Sequence, residues 1–373
     1  MTGVVCPRVG RVSDGEEGGG MCEAATGSAL DAALVAPRPA LGEAIDPIGL
    51  EPVDEVIVTT LVDNVYDALL ASDEQVTRVS FGVGLAEAPQ FEDGHTAVGL
   101  RAEHGFSALV TVRREVTTTS LLFDTGLSPD AMMVNADRLG IDLLEVQGVV
   151  LSHGHFDHVG GLAGLAKRSG GGRSVPMVVH PMAWTRRRLA VPGAEPWEMP
   201  TLSRRALEAE GFALVERRQP SLLVEDCVLI TGEVDRTTEF ERGMPAAHEA
   251  WIGSTWHHDP DVVDDQALVV DVRGRGLVVL TGCGHAGAVN IARHAQRLTG
   301  VSQVAALLGG LHLGGPAFEP VIAPTVEALA AMEPSLVVPG HCTGWRAQHA
   351  LAAALPSAWT AGSSGSSYRV AAA

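Results

Sequence analysis

The stretch LSHGHFDHVGGL, residues 151–162, constrains this chain more than any other. Three histidines and one aspartate fall within six positions: His153, His155, Asp157 and His158. The first two histidines are two residues apart in an extended turn and can chelate one ion, while the aspartate and the third histidine can face a second ion once the chain bends. Neutral imidazole and carboxylate groups suit zinc, iron or manganese. Because the apolar run LEVQGVVLS leads into the turn, we predict a metal site at the end of a buried strand.

Four later apolar runs also end in a histidine or a cysteine. They are VPMVVHP (175–181), GLVVLTGCGH (276–285), VAALLGGLHL (304–313) and PSLVVPGHCTG (334–344). Because strand ends lie at the rim of a sheet, residues distant in sequence can converge there on one point. Helical stretches, AVNIARHAQRLTG and APTVEALAAME, separate the last of these runs, and β-branched runs precede them. The pattern predicts an α/β (α+β) protein with two sheets and helices outside them.

Composition limits the partners that this chain can have. The net charge is −19, which argues against a general nucleic-acid surface, because phosphate binding needs a basic face. No apolar run approaches the ~18 residues of a membrane helix. The five cysteines are odd in number and form no CxxC pair, so reduced thiols in the cytoplasm are the simplest interpretation. We expect a cytoplasmic protein with a small-molecule substrate and with no nucleic-acid or membrane partner; its oligomeric state stays open.

The first part of the chain differs from the rest. Residues 1–50 are rich in glycine, alanine, proline and acidic residues and show no clean periodicity. We therefore expect a disordered leader there and one domain over residues 51–373. The leader carries acidic residues and no apolar segment of the kind found in a signal peptide.

The HxHxDH turn followed by VGGL resembles the signature of the metallo-β-lactamase fold superfamily. Further segments resemble, in order, one branch of its metal-dependent hydrolases, often labelled 7,8-dihydropterin-6-yl-methyl-4-(β-D-ribofuranosyl)aminobenzene 5′-phosphate synthase. These segments are TTLVDN, AEHGFSALV, LLFDTG, TGEV with FE, DDQALVV, TGCGHAGAVNI, GGLHL and HCTG. The resemblance implies an αββα sandwich with a one- or two-metal site on the sheet rim, binding zinc in one or two ions, with iron or manganese as alternatives.

The resemblance also implies a set of metal ligands. His153, His155 and the later His180 resemble the ligands of the first metal. Asp157, His158 and His341 resemble those of the second.

The chain departs from the superfamily at Cys283. Many related hydrolases end this strand as TGD, with the aspartate bridging both metals, whereas this chain has TGCGH. Cys283 is a thiolate ligand in one interpretation, because coordination deprotonates a thiol. In the other, Cys283 packs in the core and His285 binds instead; the two are not exclusive. A thiolate favours zinc, although iron stays open.

Five further residues of the matching segments are candidates for the site. Asp124, in DTG, is expected to orient a metal ligand through a hydrogen bond. Asn64, Glu103, His104 and His312 are candidates for lining the substrate pocket, with a structural role as the alternative for each.

We expect a metal-dependent hydrolase in which a metal-bound hydroxide attacks a small anionic ester, phosphodiester or lactone. Asp157 would hold the hydroxide and accept its proton, while His285 or a second metal would polarise the substrate oxygen. The alternatives are a pterin-related synthase or transferase, a non-hydrolytic iron or redox protein of the same fold, and a non-catalytic metal-binding scaffold.

Overall fold

The computed structural model describes residues 46–170 and 174–373. The strands in this part of the chain are β1 Glu55–Val62, β2 Val76–Thr77, β3 Gly84–Glu87, β4 His95–Val98, β5 Ser107–Arg114, β6 Thr117–Phe123, β7 Val149–Val150, β8 Val175–Val179, β9 Arg187–Leu189, β10 Trp197–Glu198, β11 Phe212–Glu216, β12 Ser221–Leu223, β13 Val228–Ile230, β14 His248–Ile252, β15 Thr255–His258, β16 Leu268–Val272, β17 Gly276–Thr281, β18 Val304–Gly310, β19 Leu336–Gly340 and β20 Ser367–Ala371. The α-helices are α1 Ala131–Leu139, α2 Leu162–Ser169, α3 Arg204–Ala209, α4 Ala288–Thr299, α5 Glu319–Ala330 and α6 Trp345–Ala354.

Two large sheets form the centre of the fold. The first has the strand order β11-β8-β7-β6-β5-β1-β20-β2, and the second has the order β12-β13-β16-β17-β18-β19. Their facing sides pack through buried aliphatic residues such as Val58 and Phe123 from the first sheet and Val270 and Leu308 from the second. This face is the apolar half of strands whose side chains alternate in and out.

Helices cover the outer face of each sheet. Apolar residues of α1 and α2, such as Met132 and Leu165, pack on the first sheet. Residues of α4, α5 and α6, such as Ile291 and Leu351, pack on the second. The layers are helix, sheet, sheet and helix, which confirms the predicted αββα sandwich. No helix in the described ranges is long and apolar enough to cross a membrane.

The expected leader lies mostly outside the described residues, so its disorder stays a prediction. Its last residues belong to the folded part. Ile48 is 7% exposed, packs in the cluster beneath α4, and donates its backbone N–H to Leu298 O at 2.7 Å. Leu50 packs against the same cluster. The folded part of the chain therefore begins before the predicted boundary at Glu51.

The topology gathers strand ends at one rim. β17, β18 and β19 pair in parallel, so their carboxyl ends point the same way. In the first sheet, β7 ends just before the turn with the HxHxDH motif, and Phe156–His158 form a single 3₁₀ turn. A small sheet of order β10-β9-β14-β15 places β14 next to this rim. The predicted convergence of His and Cys residues on one point follows from this arrangement.

Candidate metal centre

Three histidine nitrogens form a buried triangle. His153 Nε2 lies 2.9 Å from His155 Nδ1, which lies 3.1 Å from His285 Nε2, and the third side, between the Nε2 atoms of His285 and His153, is 3.2 Å. Burial, together with the charges of neighbouring cationic groups, lowers the pKa of each of these imidazoles well below its ordinary value. Neutral rings present lone pairs, and nitrogens bound to one tetrahedral zinc ion are about 3.3 Å apart. The triangle therefore fits a divalent transition metal.

A second group of ligand atoms adjoins the triangle. Atoms of Asp157, His158, Cys283 and His341 all lie within 4.8 Å of one another. His158 Nε2 is 3.2 Å from Cys283 Sγ, and His341 Nε2 is 3.4 Å from Asp157 Oδ2. Cys283 Sγ also lies within 4.8 Å of the ligand atoms of His153 and His285. The thiol therefore occupies the place between the two groups that a bridging ligand needs.

Charges in the second group compensate one another. Burial lowers the pKa of His158, but the carboxylates of Asp124 and Asp157 outweigh it and raise that pKa to about 9. Burial raises the pKa of Asp157, but His158 and His341 outweigh it and lower that pKa overall. Burial raises the pKa of the Cys283 thiol well above its ordinary value. Without a cation the site therefore holds protons that a metal ion would replace.

Asp124 links the two groups, as predicted for a residue that orients ligands. Its Oδ2 accepts from Ser152 Oγ at 2.7 Å and lies 2.7 Å from His158 Nδ1. Ser152 Oγ in turn lies 2.9 Å from His153 Nδ1. Asp124 adopts the left-handed region, with φ of 56°, and strain of this kind persists only where the surroundings fix it. These contacts hold the Nδ1 atoms of His153 and His158, so the Nε2 atoms of both rings face the clusters.

The structure does not bring His180 to the triangle. Among the described residues, three groups of ligand atoms lie within 4.8 Å of one another, and none of them includes His180. Its Nδ1 accepts from Met182 N at 3.1 Å, and its Nε2 lies 3.4 Å from Glu233 Oε1. His180 caps the 3₁₀ turn Pro181–Trp184, so its Nδ1 is already engaged. His285 is the third corner of the triangle, and the assignment of His180 as a metal ligand stays a prediction.

The remaining predicted residues surround the second group. Asn64 Nδ2 lies 3.0 Å from His104 Nδ1 and donates to His341 O at 3.0 Å. The side chain of His104 is 63% exposed, and its Nε2 lies 3.8 Å from Asp157 Oδ2. His104 is thus the group through which the cluster meets solvent.

Glu103 has a different role. Its carboxylate accepts the backbone N–H groups of Leu127 and Ser128, each at 2.9 Å, and the Ser128 hydroxyl. These bonds hold the turn that follows Asp124. The contacts favour the structural alternative for Glu103 over a place in the substrate pocket.

His312 lies beside the triangle and lines a cavity. Its ring centroid is 4.3 Å from that of His285 and 4.6 Å from that of Phe318. The cavity is about 360 Å³, and its walls include Phe240, Leu313 and Phe318. Its residues also include Arg242. A small ligand in this space would meet His285 and His312 at one end and mostly apolar walls elsewhere.

His248 is a site residue that the sequence did not reveal. Its Nε2 lies 3.1 Å from His155 Nε2, and its Nδ1 lies 2.9 Å from Asp259 O. It begins β14 in the segment HEAWI, which has no metal-binding spacing. Only the three-dimensional pairing of β14 with β9 brings it to the rim.

A buried ion pair hydrogen-bonds to the backbone of the HxHxDH turn. Asp264 accepts the backbone N–H of Gly154 at 2.9 Å and is paired with Arg187, which also bonds Asp259 at 3.0 Å. Burial raises the pKa of Asp264, but the guanidinium of Arg187 outweighs it and lowers that pKa. The segment DDQALVV, in which Asp264 lies, was noted in the sequence without this role.

Residues 102–293, just over half of the chain, match the family model of the metallo-beta-lactamase superfamily. The chain belongs to this superfamily. The matched range contains both groups of clustered residues except His341. The match confirms the resemblance drawn from HxHxDH and the fold that it implied. Members of the superfamily bind divalent metals at such a rim, and the clusters described above fit that role.

Two curated relatives and one solved structure resemble this superfamily member. A 7,8-dihydropterin-6-methyl-4-(beta-D-ribofuranosyl)-aminobenzene-5′-phosphate synthase of Methanocaldococcus jannaschii is 27% identical over 253 residues, which cover 66% of this chain and 83% of the relative. An uncharacterized protein of the same organism is 26% identical over 251 residues, with 66% and 86% covered. The crystal structure of Tm1679, described as a metal-dependent hydrolase of the beta-lactamase superfamily, aligns with a TM-score of 0.62 and 24% identity over 85% of this chain and 99% of that one.

Proposed function

We propose that this protein is a metal-dependent hydrolase that acts on a small anionic ester, phosphodiester or lactone. The observation that carries the proposal is the pair of buried ligand groups that share Cys283 Sγ at the rim of the two sheets. Membership of the metallo-beta-lactamase superfamily supports the same reaction class.

The proposal places two cations among the described side chains. His153, His155 and His285 would hold the first cation, and Asp157, His158 and His341 would hold the second, with Cys283 between them. A bound divalent cation would lower the pKa of a coordinated water towards neutrality and polarise the substrate oxygen. Zinc suits the mixed nitrogen, oxygen and sulfur donors, while iron and manganese suit the nitrogen and oxygen donors.

Protein side chains would handle the protons of the reaction. Asp157 is a carboxylate with a lowered pKa, so it is ionised at neutral pH and accepts a hydrogen bond from a nucleophilic water. His104, 3.8 Å from Asp157 Oδ2 and exposed on its other side, is placed to pass a proton to solvent or to a leaving group. Asn64 contacts His104 and His341 and keeps both rings in place.

The cavity beside His285 sets the shape of the substrate. Its apolar walls would take the uncharged part of a small molecule, while the cations would favour a negative charge at the reacting end. The attraction between the bound cations and an anionic substrate acts over a short distance. A protein with a net charge of −19 can therefore bind an anion at this centre.

The pterin-related synthase reaction is the second candidate. The synthase from Methanocaldococcus jannaschii is matched over 83% of its length, which favours a related reaction more than a shared fold alone does. In that case the same clusters would stabilise a departing phosphate or pyrophosphate.

A chromogenic panel tests the proposal. Aryl phosphodiesters, aryl esters and lactones are offered to the full chain with and without a chelator, and metal content is measured in parallel. We expect turnover of at least one class, lost on chelation and restored by zinc or another divalent metal. His153→Ala should lose this activity, whereas His257→Ala, which removes an exposed histidine from β15, serves as the matched control and should retain it. Turnover that persists after complete metal removal would contradict the proposal.

A further inference from the structure

Three parallel strands each end in a potential soft or borderline metal ligand. Cys283 follows β17, His312 follows β18 and Cys342 follows β19. Because these strands are neighbours in the order β17-β18-β19, their carboxyl ends lie side by side. The sequence position of the three residues therefore places them together at one edge of the second sheet.

The structure brings the three ligand atoms together. The Sγ atoms of Cys283 and Cys342 and a ring nitrogen of His312 all lie within 4.8 Å of one another. Cys342 Sγ lies 3.3 Å from Cys283 O and accepts the backbone N–H of His312, also at 3.3 Å. The arrangement depends on Gly310, because a Cβ atom there would lie 2.8 Å from Cys342 Sγ and 3.0 Å from Cys283 Cα.

One ring nitrogen of His312 makes no hydrogen bond within the described part of the chain. This nitrogen is Nδ1, and it is buried. The residue adopts the left-handed region, with φ of 46°, as His341 does with φ of 48°. A non-glycine residue in this region is rare and is held by its surroundings.

We propose that Cys283, His312 and Cys342 form a sulfur-rich cation position beside the centre that carries the hydrolase function. Two thiolates and one imidazole suit a thiophilic cation such as zinc or cadmium. Each sulfur would bind the cation as a thiolate, and any proton that it carries would be released to solvent. The Cys283 thiolate is shared with the neighbouring centre, as a bridging thiolate is in a metal cluster.

The position differs in chemistry from its neighbour. Asp157, His158 and His341 offer oxygen and nitrogen donors and accept harder cations, whereas the pair of thiolates selects a soft cation. His312 also lines the cavity of about 360 Å³, so the fourth ligand place of the cation would face the space where a small molecule fits. A thiophilic cation would thus alter the chemistry of the cavity wall.

Cadmium titration of the full-length chain tests the proposal. All chains carry Cys6→Ser and Cys22→Ser, which leaves Cys227, Cys283 and Cys342 as the thiols. Cadmium–thiolate bonds absorb in the ultraviolet in proportion to their number. We expect Cys342→Ala to bind one fewer cadmium ion and to lose roughly half or more of this band, because both cadmium–thiolate bonds of that ion disappear and only those between Cys283 and the neighbouring centre remain.

Two further variants make the result decisive. His312→Ala keeps both thiols and should weaken the same cadmium ion at least roughly tenfold, since one of three protein donors is lost. Cys227→Ala removes a buried thiol that contacts Arg114 at 3.6 Å and should leave both readouts unchanged. Unchanged stoichiometry and an unchanged band in Cys342→Ala, with an unchanged affinity in His312→Ala, would overturn the proposal. Because the readout is cation binding and not turnover, it is decided independently of the proposed hydrolase function.

Discussion

Replacing Cys283 and His285 separately should affect the two cation positions differently. His285 Nε2 is one corner of the histidine triangle, whereas Cys283 Sγ lies between the two ligand groups. We expect His285→Ala to weaken the first position and Cys283→Ser to weaken both, because the thiol is the donor that they share. The serine hydroxyl is hard and neutral at pH 7, so it replaces neither the softness nor the negative charge of a thiolate.

The size of the effect follows from the number of donors. A structural zinc ion with four protein ligands contributes about 10–16 kcal/mol, so each ligand accounts for roughly 3 kcal/mol. Losing one ligand should therefore weaken zinc binding about 100-fold. Cys283→Asp should recover part of this loss, because a carboxylate restores the negative charge at the place that related enzymes use for a bridging aspartate.

The assay is competition of each variant with a chromophoric zinc chelator, with metal stoichiometry measured after dialysis. His258→Ala, in an exposed strand position, is the matched histidine control. If Cys283→Ser retained both cations with the affinity of the parent chain, the thiolate would be absent from the site and the bridging role would be wrong. If His285→Ala bound zinc normally at the first position, the triangle would not be the ligand set.

Three other changes have expected outcomes. A chain that begins at Glu51 should melt about 3–4 °C below one that begins at Asp46, since it loses the burial of Ile48 and its hydrogen bond, together about 2–3 kcal/mol; equal melting temperatures would show that Ile48 adds nothing. Glu241→Ala should lower the melting temperature by about 2 °C more than Glu241→Gln does, because Glu241 accepts two backbone N–H groups in the first turn of α4, each at 2.9 Å, and the amide retains one acceptor oxygen; identical effects would rule out this cap. In the metal-free chain, His158 has its pKa raised from 6.5 to about 9, so its contribution of about 3 kcal/mol is complete below pH 6.5 and is lost as the pH rises through 9; denaturant titrations that show no loss between these values would contradict the pairing.

The sequence contained enough to predict the fold and to name most of the residues that the structure groups at the rim. The HxHxDH turn after a buried strand is local, and its meaning depends on residues within six positions. The strand ends at Cys283 and His341 follow from the rule that parallel strands end at one rim. Both kinds of signal lie within short segments, so they are readable without knowledge of the packing.

The sequence was less informative where the packing decides the position of a residue. His180 ends an apolar strand as His285 does, but it caps a 3₁₀ turn and its ring turns towards Glu233. His248 reaches His155 only because β14 pairs with β9, a contact between residues about 60 apart in sequence. Ile48 packs on α4 through a contact that spans 250 residues, so a local lack of periodicity could not reveal it.

The boundaries of helices were less accurate than their existence. APTVEALAAME predicted a helix from residue 323, whereas α5 begins at Glu319, with Pro320 in its first turn and Pro324 inside it. Pro320 and Pro324 each fit the first turn of a helix, so the sequence pattern alone does not show which of them marks its start. By contrast, α1 ends before Gly140, whose φ of 70° is typical of a glycine that ends a helix.

The most direct test of the account is a crystal structure of the zinc-loaded chain with anomalous data at the zinc edge. We expect a peak about 2.0–2.1 Å from His153 Nε2, His155 Nδ1 and His285 Nε2, and a second beside Cys283. His180 should lie outside the bonding distance of both peaks. A peak bound by His180 in place of His285, or no peak at the rim in a zinc-saturated crystal, would contradict the assignment of the metal centre.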